Sequence, residues 1–246
     1  MQVLLDAPII ELDTIDSTNN YAMRLLDADT AQPGLTITAA TQTQGKGQRG
    51  NSWQDEPGAS LLMSIITHPP YGLDNQFLFS AAAAVAVANV LQKLSETADV
   101  RIKWPNDIII NDKKAGGILI ENVLRGSKWS YGVIGLGLNV TQTHFPAALP
   151  HATSLLAEGV HAEVHSLREA LRKAILADTA GRRSAEEVME RYNEHLFRKS
   201  DSQVFRKNGE EWYGKTDHVS ADGKLHVVLP DGEIVAYVHG KVEWVW

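Results

Sequence analysis

The chain has 246 residues, 43% of them hydrophobic and 22% charged, with a formal net charge of −7 and no cysteine. That length buries a substantial core; the acidic balance lacks the basic footprint of a nucleic-acid binder; the missing thiols exclude disulfides, thiolate metal sites and a cysteine nucleophile. The first residues carry no secretory pattern, and the longest apolar run, around residues 81–87, meets Asn89 and Gln92 too early for a membrane span, so a cytoplasmic protein with no membrane contact is expected.

Residues 9–15 alternate apolar and polar side chains as a half-buried strand does. Asp16-Ser17-Thr18-Asn19-Asn20 follows, and Tyr21, Ala22, Leu25 and Leu26 then fall at helical spacing. Ser17 or Thr18 is thus a helix N-cap, with the alternative that these side chains also offer donors and acceptors to a ligand. A second strand over residues 35–41 enters a glycine-rich stretch, residues 41–53, and a third over residues 59–67 leaves it.

The stretch holds Gly45, Gly47 and Gly50, the cations Lys46 and Arg49, and a terminal Trp53. Glycines allow close backbone approach, and N–H groups beside cations form a concavity for an anion. Neither common nucleotide signature fits. A dinucleotide fold places its glycines before a helix, but here a strand follows, and a P-loop needs Ser or Thr after Gly-Lys, where this chain has Gly47.

Residues 74–94 form an alanine-rich core helix. Pro105 then ends a strand in Lys103-Trp104-Pro105-Asn106-Asp107. Residues 108–110 and 113–120 make a hairpin about Asn111-Asp112, with Gly116 and Gly117 marking a close approach by backbone or ligand. Residues 128–140 continue as a strand whose glycines at 132, 135 and 137 leave one face bare, for a flat ring or for a tightly packed helix. Helical spacing covers residues 167–177, and Ser184 with Glu187 forms a capping box opening a helix to about Leu196. Beyond residue 200, five short strands with Asp222-Gly223 and Pro230-Asp231-Gly232 turns suggest a small separate barrel.

Four segments stand in order: Ile15 to Asn19, Gln42 to Trp53, Lys103-Trp104-Pro105-Asn106-Asp107 with Lys114-Ala115-Gly116-Gly117, and Gly135 to Val140. Together they resemble the biotin protein ligases over essentially the whole chain. The resemblance implies an α+β fold, a mixed β-sheet flanked by helices over residues 1–198, with a small C-terminal β-barrel over residues 199–246. It implies biotin and ATP as substrates with Mg²⁺, formation of biotinyl-5′-AMP, and transfer to one lysine of a biotin carboxyl carrier domain. A carboxylate attacking a triphosphate needs cations and N–H donors where charge accumulates.

By the same resemblance Ser17, Thr18, Asn19, Gln42, Gly45, Gly47, Gln48 and Gly117 bind biotin, together with Lys46 and Lys114. Trp53, Asn106 and Asn139 face the nucleotide, with Lys46, Arg49 and Lys114. Lys114 is the first choice as catalytic residue, with Lys46, Arg49 and Asp107. Asn106 and Asp107 either steer magnesium pyrophosphate or receive the acceptor lysine, so the metal position stays open near Asp107. Gln48 stands where many members have an arginine associated with retaining the adenylate. Asp16-Ser17-Thr18 arrives within twenty residues of Met1, so a short form without a DNA-binding domain, and no operator binding, is expected. Dimerisation through a sheet edge is implied, with residues 128–140 as the edge, and ligand is expected to order residues 42–55. A lipoate or octanoate ligase and a non-catalytic biotin sensor are the competing readings.

Overall fold

The computed structural model describes residues 2–246. Its first elements are a short helix α1 (Gln2–Leu5), β1 (Ile9–Ile15), α2 (Thr18–Asp27), β2 (Thr36–Gln42) and β3 (Ser60–Thr67). After α3 (Gln76–Gln92) come β4 (Val100–Lys103), β5 (Asp107–Ile110), β6 (Lys113–Arg125) and β7 (Lys128–Asn139). These seven strands form one sheet in the order β1-β2-β3-β7-β6-β5-β4. Only β1 and β2 run parallel; every other neighbouring pair is antiparallel.

All eight residues of β3 are buried because it lies mid-sheet with both faces covered. Leu61, Met63 and Ile65 join the core beneath α3. Ile66 belongs to a smaller cluster on the opposite face with Ala22 and Leu26 of α2. Helix α3 is apolar on every side because the sheet lies on one flank and α4 (Val164–Asp178) and α5 (Ala185–Glu194) on another. The expectation that this run is too short to span a membrane needs correcting: Leu73–Gln92 is long and apolar enough by length and composition. The apolar extent has a local cause, since its alanines and valines form the protein's main core. The capping box at Ser184 and Glu187 is present and opens α5.

Arg172 of α4 is 3% exposed and hydrogen-bonded through all three of its nitrogens. Its guanidinium donates to Leu4 O, Leu5 O, Ala7 O, Gly34 O and Thr36 Oγ1 at 2.8–3.1 Å. The cation thereby fastens the chain before β1, and the turn before β2, to the helical layer.

Two expectations about sheet edges are corrected. Residues 128–140 are not an edge: β7 lies between β3 and β6. The edge strands are β1 and β4, and β4 is flanked by residues 195–197, with Ile102 N donating to His195 O and Phe197 N to Ile102 O. Nor is the C-terminal unit a closed barrel. Strands β8 (Ser202–Lys207), β9 (Glu210–Val219), β10 (Leu225–Val228), β11 (Ile234–Tyr237) and β12 (Glu243–Trp244) form an open antiparallel sheet in the order β11-β10-β9-β8-β12. A barrel closes to bury its own apolar face and edges; here that face is covered in two other ways. Aromatic rings fill it from edge to edge, Tyr237 on Trp212, Trp212 on Phe205 and Phe205 on Trp244, with centroids 5.0–5.6 Å apart. The main body covers the rest, with Phe197 against Trp244 and Asn193 exchanging two hydrogen bonds with the backbone of Val219. The hydrophobic core is therefore continuous from α3 into this sheet.

Candidate functional site

A cavity of about 450 Å³ opens where the start of α2, the glycine stretch, β4 to β7 and the C-terminal sheet meet. It brings together Ser17, Thr18, Asn19 and Gln42 at one end, Lys46, Gly47, Gln48, Arg49 and Trp53 above, and Asn106, Asp107, Lys114 and Gly117 on the floor. Of the residues singled out from the sequence, Gly45 and Asn139 do not line it. Gly45 O accepts from Trp53 N and so pinches the loop shut. Asn139 is buried with its amide committed, Nδ2 donating to Thr153 O at 2.9 Å.

Ser17 occupies the N-cap position of α2 but makes no side-chain capping bond. The expected N-cap position is thus borne out without the capping bond, and the neighbouring Thr18 hydroxyl is engaged with side chains rather than with the helix. Gln42 Oε1 accepts from Thr18 N at 2.7 Å and lies 3.1 Å from Thr18 Oγ1. Ser64 Oγ lies 2.7 Å from Thr18 Oγ1 and 2.6 Å from Asn19 Oδ1. Since Thr18 N can only donate, Gln42 has its carbonyl oxygen inward and its NH₂ left for a ligand. Asp16 stands behind this group, held well below the usual carboxylate range by the Arg24 guanidinium, which grips both its oxygens at 2.9 and 3.0 Å.

The glycine stretch folds as a small hairpin, Gly47 N donating to Asn51 O at 2.7 Å and Trp53 N to Gly45 O at 2.9 Å. Arg49 sits at its tip in the left-handed region, φ 55°, which favours glycine or asparagine. Its guanidinium lies against the C-terminal sheet, Nη1 3.5 Å from His239 O, and any side chain at Gly240 would overlap it. Burial, then the Arg49 charge, pushes His239 down from the ordinary histidine value.

Both explanations of the bare face of β7 are realised at different positions. A Cβ at Gly137 would lie 2.7 Å from the Trp53 indole, and one at Gly135 would overlap the Asn19 amide, so here the flat groups against the strand are the chain's own. Gly132, on the opposite face, admits the Phe79 ring of α3. Trp53 Nε1 is buried without a hydrogen-bond partner, so the indole N–H is unsatisfied.

On the floor, Lys114 Nζ lies 2.6 Å from Asp107 Oδ1. The β5–β6 hairpin sets this pairing, with its register shift between Ile108 and Ile109. A Cβ at Gly116 would press on Gly137 O, whereas one at Gly117 would rest in ordinary contact with Asp107 and Lys114. Asn106 is buried, its Nδ2 donating to Ile118 O at 2.5 Å. Lys46 reaches Glu121 at 3.3 Å, and Glu121 also accepts from Asn19 Nδ2 at 2.8 Å.

Several lining residues have no counterpart among those singled out from the sequence. Lys103 belongs to a quoted motif yet received no role, and its place in that motif was the available signal. Glu243 and Trp244 come from β12, and His239, Val242 and Trp246 from the residues flanking it; spacing along the chain carries no sign that they return to a cavity built a hundred residues earlier.

The Biotin/lipoate A/B protein ligase family matches residues 11–139. The bifunctional ligase/repressor BirA of Bacillus subtilis is 37% identical over 152 residues, covering 60% of this chain and 46% of that protein. The biotin–[acetyl-CoA-carboxylase] ligase of Mycobacterium tuberculosis is 34% identical over 133 residues, covering 52% and 47% respectively. The match thus spans about half the length of these curated relatives. Among solved structures, a biotin protein ligase from Aquifex aeolicus in complex with biotin and ATP superposes with a TM-score of 0.79 at 22% identity, over 96% of this chain and 98% of that one. One from Leishmania major in complex with biotinyl-5-AMP gives 0.61 at 24%, over 94% and 98%. At such identity the structures establish the shared fold. With more than half its length matched, the chain belongs to the biotin/lipoate A/B protein ligase family.

Proposed function

We propose that this chain activates biotin with ATP to biotinyl-5′-AMP and pyrophosphate, and then transfers the biotinyl group to a lysine of a carboxyl carrier domain. The observation that carries this reading is one cavity holding a polar pocket at α2, the Lys114–Asp107 pair and the Trp53 ring. Ser17 Oγ and the Gln42 NH₂ suit the ureido ring, which both donates and accepts. Lys114 is placed for the biotin carboxylate and the α-phosphate, and exchanges Asp107 for these anions when they arrive. A carboxylate oxygen bonds to the α-phosphorus as the bond to pyrophosphate breaks; fixed cations stabilise the accumulating charge. In the second step the acceptor amine attacks the anhydride carbonyl, AMP departs, and the freed Asp107 takes the ammonium proton.

Trp53, seated on Gly137, offers an aromatic face for adenine, and Lys46 and Arg49 close over the phosphates. Gln48 contributes no charge there. Mg²⁺ enters with the nucleotide. No group of three metal-ligating side chains occurs among the described residues, so phosphate oxygens and one carboxylate, Asp107, would hold it. A homodimer paired edge to edge would use β1, since residues 195–197 flank β4.

Biotin-dependent exchange of labelled pyrophosphate into ATP tests this reading. Wild type exchanges with biotin, and Lys114→Ala loses at least about a hundredfold. The family also covers lipoate ligases, so lipoate is the control acid. Exchange with lipoate alone moves the chain to that branch, and exchange with neither acid makes it a binding protein.

A further inference from the structure

Four cations line the cavity, and their surroundings differ. Lys114 has Asp107, and Lys46 has Glu121. Among the described residues, Lys103 and Arg49 make no ion pair. Arg49 at least lies near a carbonyl, whereas Lys103 has no acceptor: it is 9% exposed, and its ammonium faces the rings of Trp246 at 4.0 Å and Trp244 at 5.8 Å.

Burial without a counter-ion is costly for a lysine. The aromatic faces return only part of that cost. The groups acting on Lys103 from the elements around it are Asp107 and Glu243, which favour its charge, and Lys114 and Arg198, which oppose it. A methionine would fill the same slot at no electrostatic cost, so packing does not explain the amine. An anion delivered by a ligand does.

We propose that Lys103, walled by Trp244 of the C-terminal sheet and by Trp246 beyond it, is an anion-binding residue that takes the β- and γ-phosphates of the nucleoside triphosphate and holds the departing pyrophosphate. This rests on the activation reaction proposed above. Its direction follows from the sheet order. Gln42 ends β2, Lys114 is the second residue of β6 and Lys103 ends β4, so Lys114 lies between the polar pocket and Lys103 across the sheet. Attacking and leaving oxygens at phosphorus lie roughly in line. With the acid arriving from the α2 side, pyrophosphate therefore leaves toward β5 and β4. The C-terminal sheet thus supplies the wall of a phosphate subsite, and Lys103 supplies its charge.

Equilibrium dialysis of labelled inorganic pyrophosphate in magnesium buffer tests the assignment, with AMP measured in parallel on wild type, Lys103→Met and Lys103→Arg. The expected result is about a tenfold or larger loss of pyrophosphate affinity in Lys103→Met, recovery to within about threefold in Lys103→Arg, and AMP binding changed by less than about twofold in either. Pyrophosphate affinity unchanged in Lys103→Met overturns the assignment, as does an equal loss for AMP or the absence of saturable pyrophosphate binding to wild type. Lys103→Gln replaces the methionine variant if circular dichroism shows that the latter does not fold. Should wild type show Lys103-dependent pyrophosphate binding but no exchange with biotin, the ligase reading falls while the subsite stands.

Discussion

Arg172 and Lys103 are both cations with less than a tenth of their surface exposed, and their environments are opposite. Around Arg172, four carbonyls and one hydroxyl accept from all three guanidinium nitrogens. Around Lys103 there are two indole faces and a cavity. The first arrangement is complete without a ligand and serves to fasten the N-terminal segment. The second is incomplete, and its missing partner has the charge and reach of a phosphate. A buried charge therefore reports on structure or on binding according to what surrounds it, and burial alone does not separate the two.

The largest expected effect is on the complete site. Arg172→Leu leaves the carbonyls of Leu4, Leu5 and Ala7 without their side-chain donor, and should cost about 3 kcal/mol or more in urea unfolding. Lys103→Met removes an unpaired buried charge and should stay within about 1 kcal/mol of wild type, or gain stability. Equal losses in the two variants would break the comparison.

A smaller effect, on binding rather than folding, is expected at the seat of Trp53. Gly137→Val pushes the indole off β7, where even a Cβ lies 2.7 Å from the ring. The Michaelis constant for ATP in the exchange assay should rise about tenfold, the scale of one lost base-stacking contact. The constant for biotin should change far less, and a parallel rise for both would show that the cavity had collapsed.

The remaining effect is a slope with pH. Burial lowers Lys103 from 10.5 to about 8. Between these values the unfolded chain holds more protons than the folded one, so stability rises with pH across that window, while the full cost of the buried charge is felt below it. Unfolding of wild type and Lys103→Met compared from about pH 7.5 to 10.5 should show wild type improving relative to the variant. A constant difference would mean that the ammonium is solvated.

Local pattern accounts for much of what was legible. The alternation in β1, the capping box before α5 and the five short C-terminal strands are encoded by neighbours within a few residues, and all are present. Pattern failed where a segment's partners decide its state. The glycine-spaced strand β7 looks the same as an edge or as a centre, and only pairing with β3 and β6 makes it central. Short strands suggest a barrel equally well when another layer covers their face, which is how the sheet beyond residue 200 stays open.

The sequence by itself determined the elements, the family, and a cluster of residue types suited to anion chemistry, because turn residues, hydrophobic period and compact motifs are local. Tertiary structure alone decided which cations are free. Lys46 and Lys114 look unpaired along the chain, yet Glu121 is 75 residues from one in sequence and the fold of a hairpin brings Asp107 to the other. Lys103 lies in a motif beside Asp107, yet its ammonium ends among tryptophans contributed by the last strand and the residues after it. Charge pairing depends on distance in space, and a chain of this length reveals that only when folded.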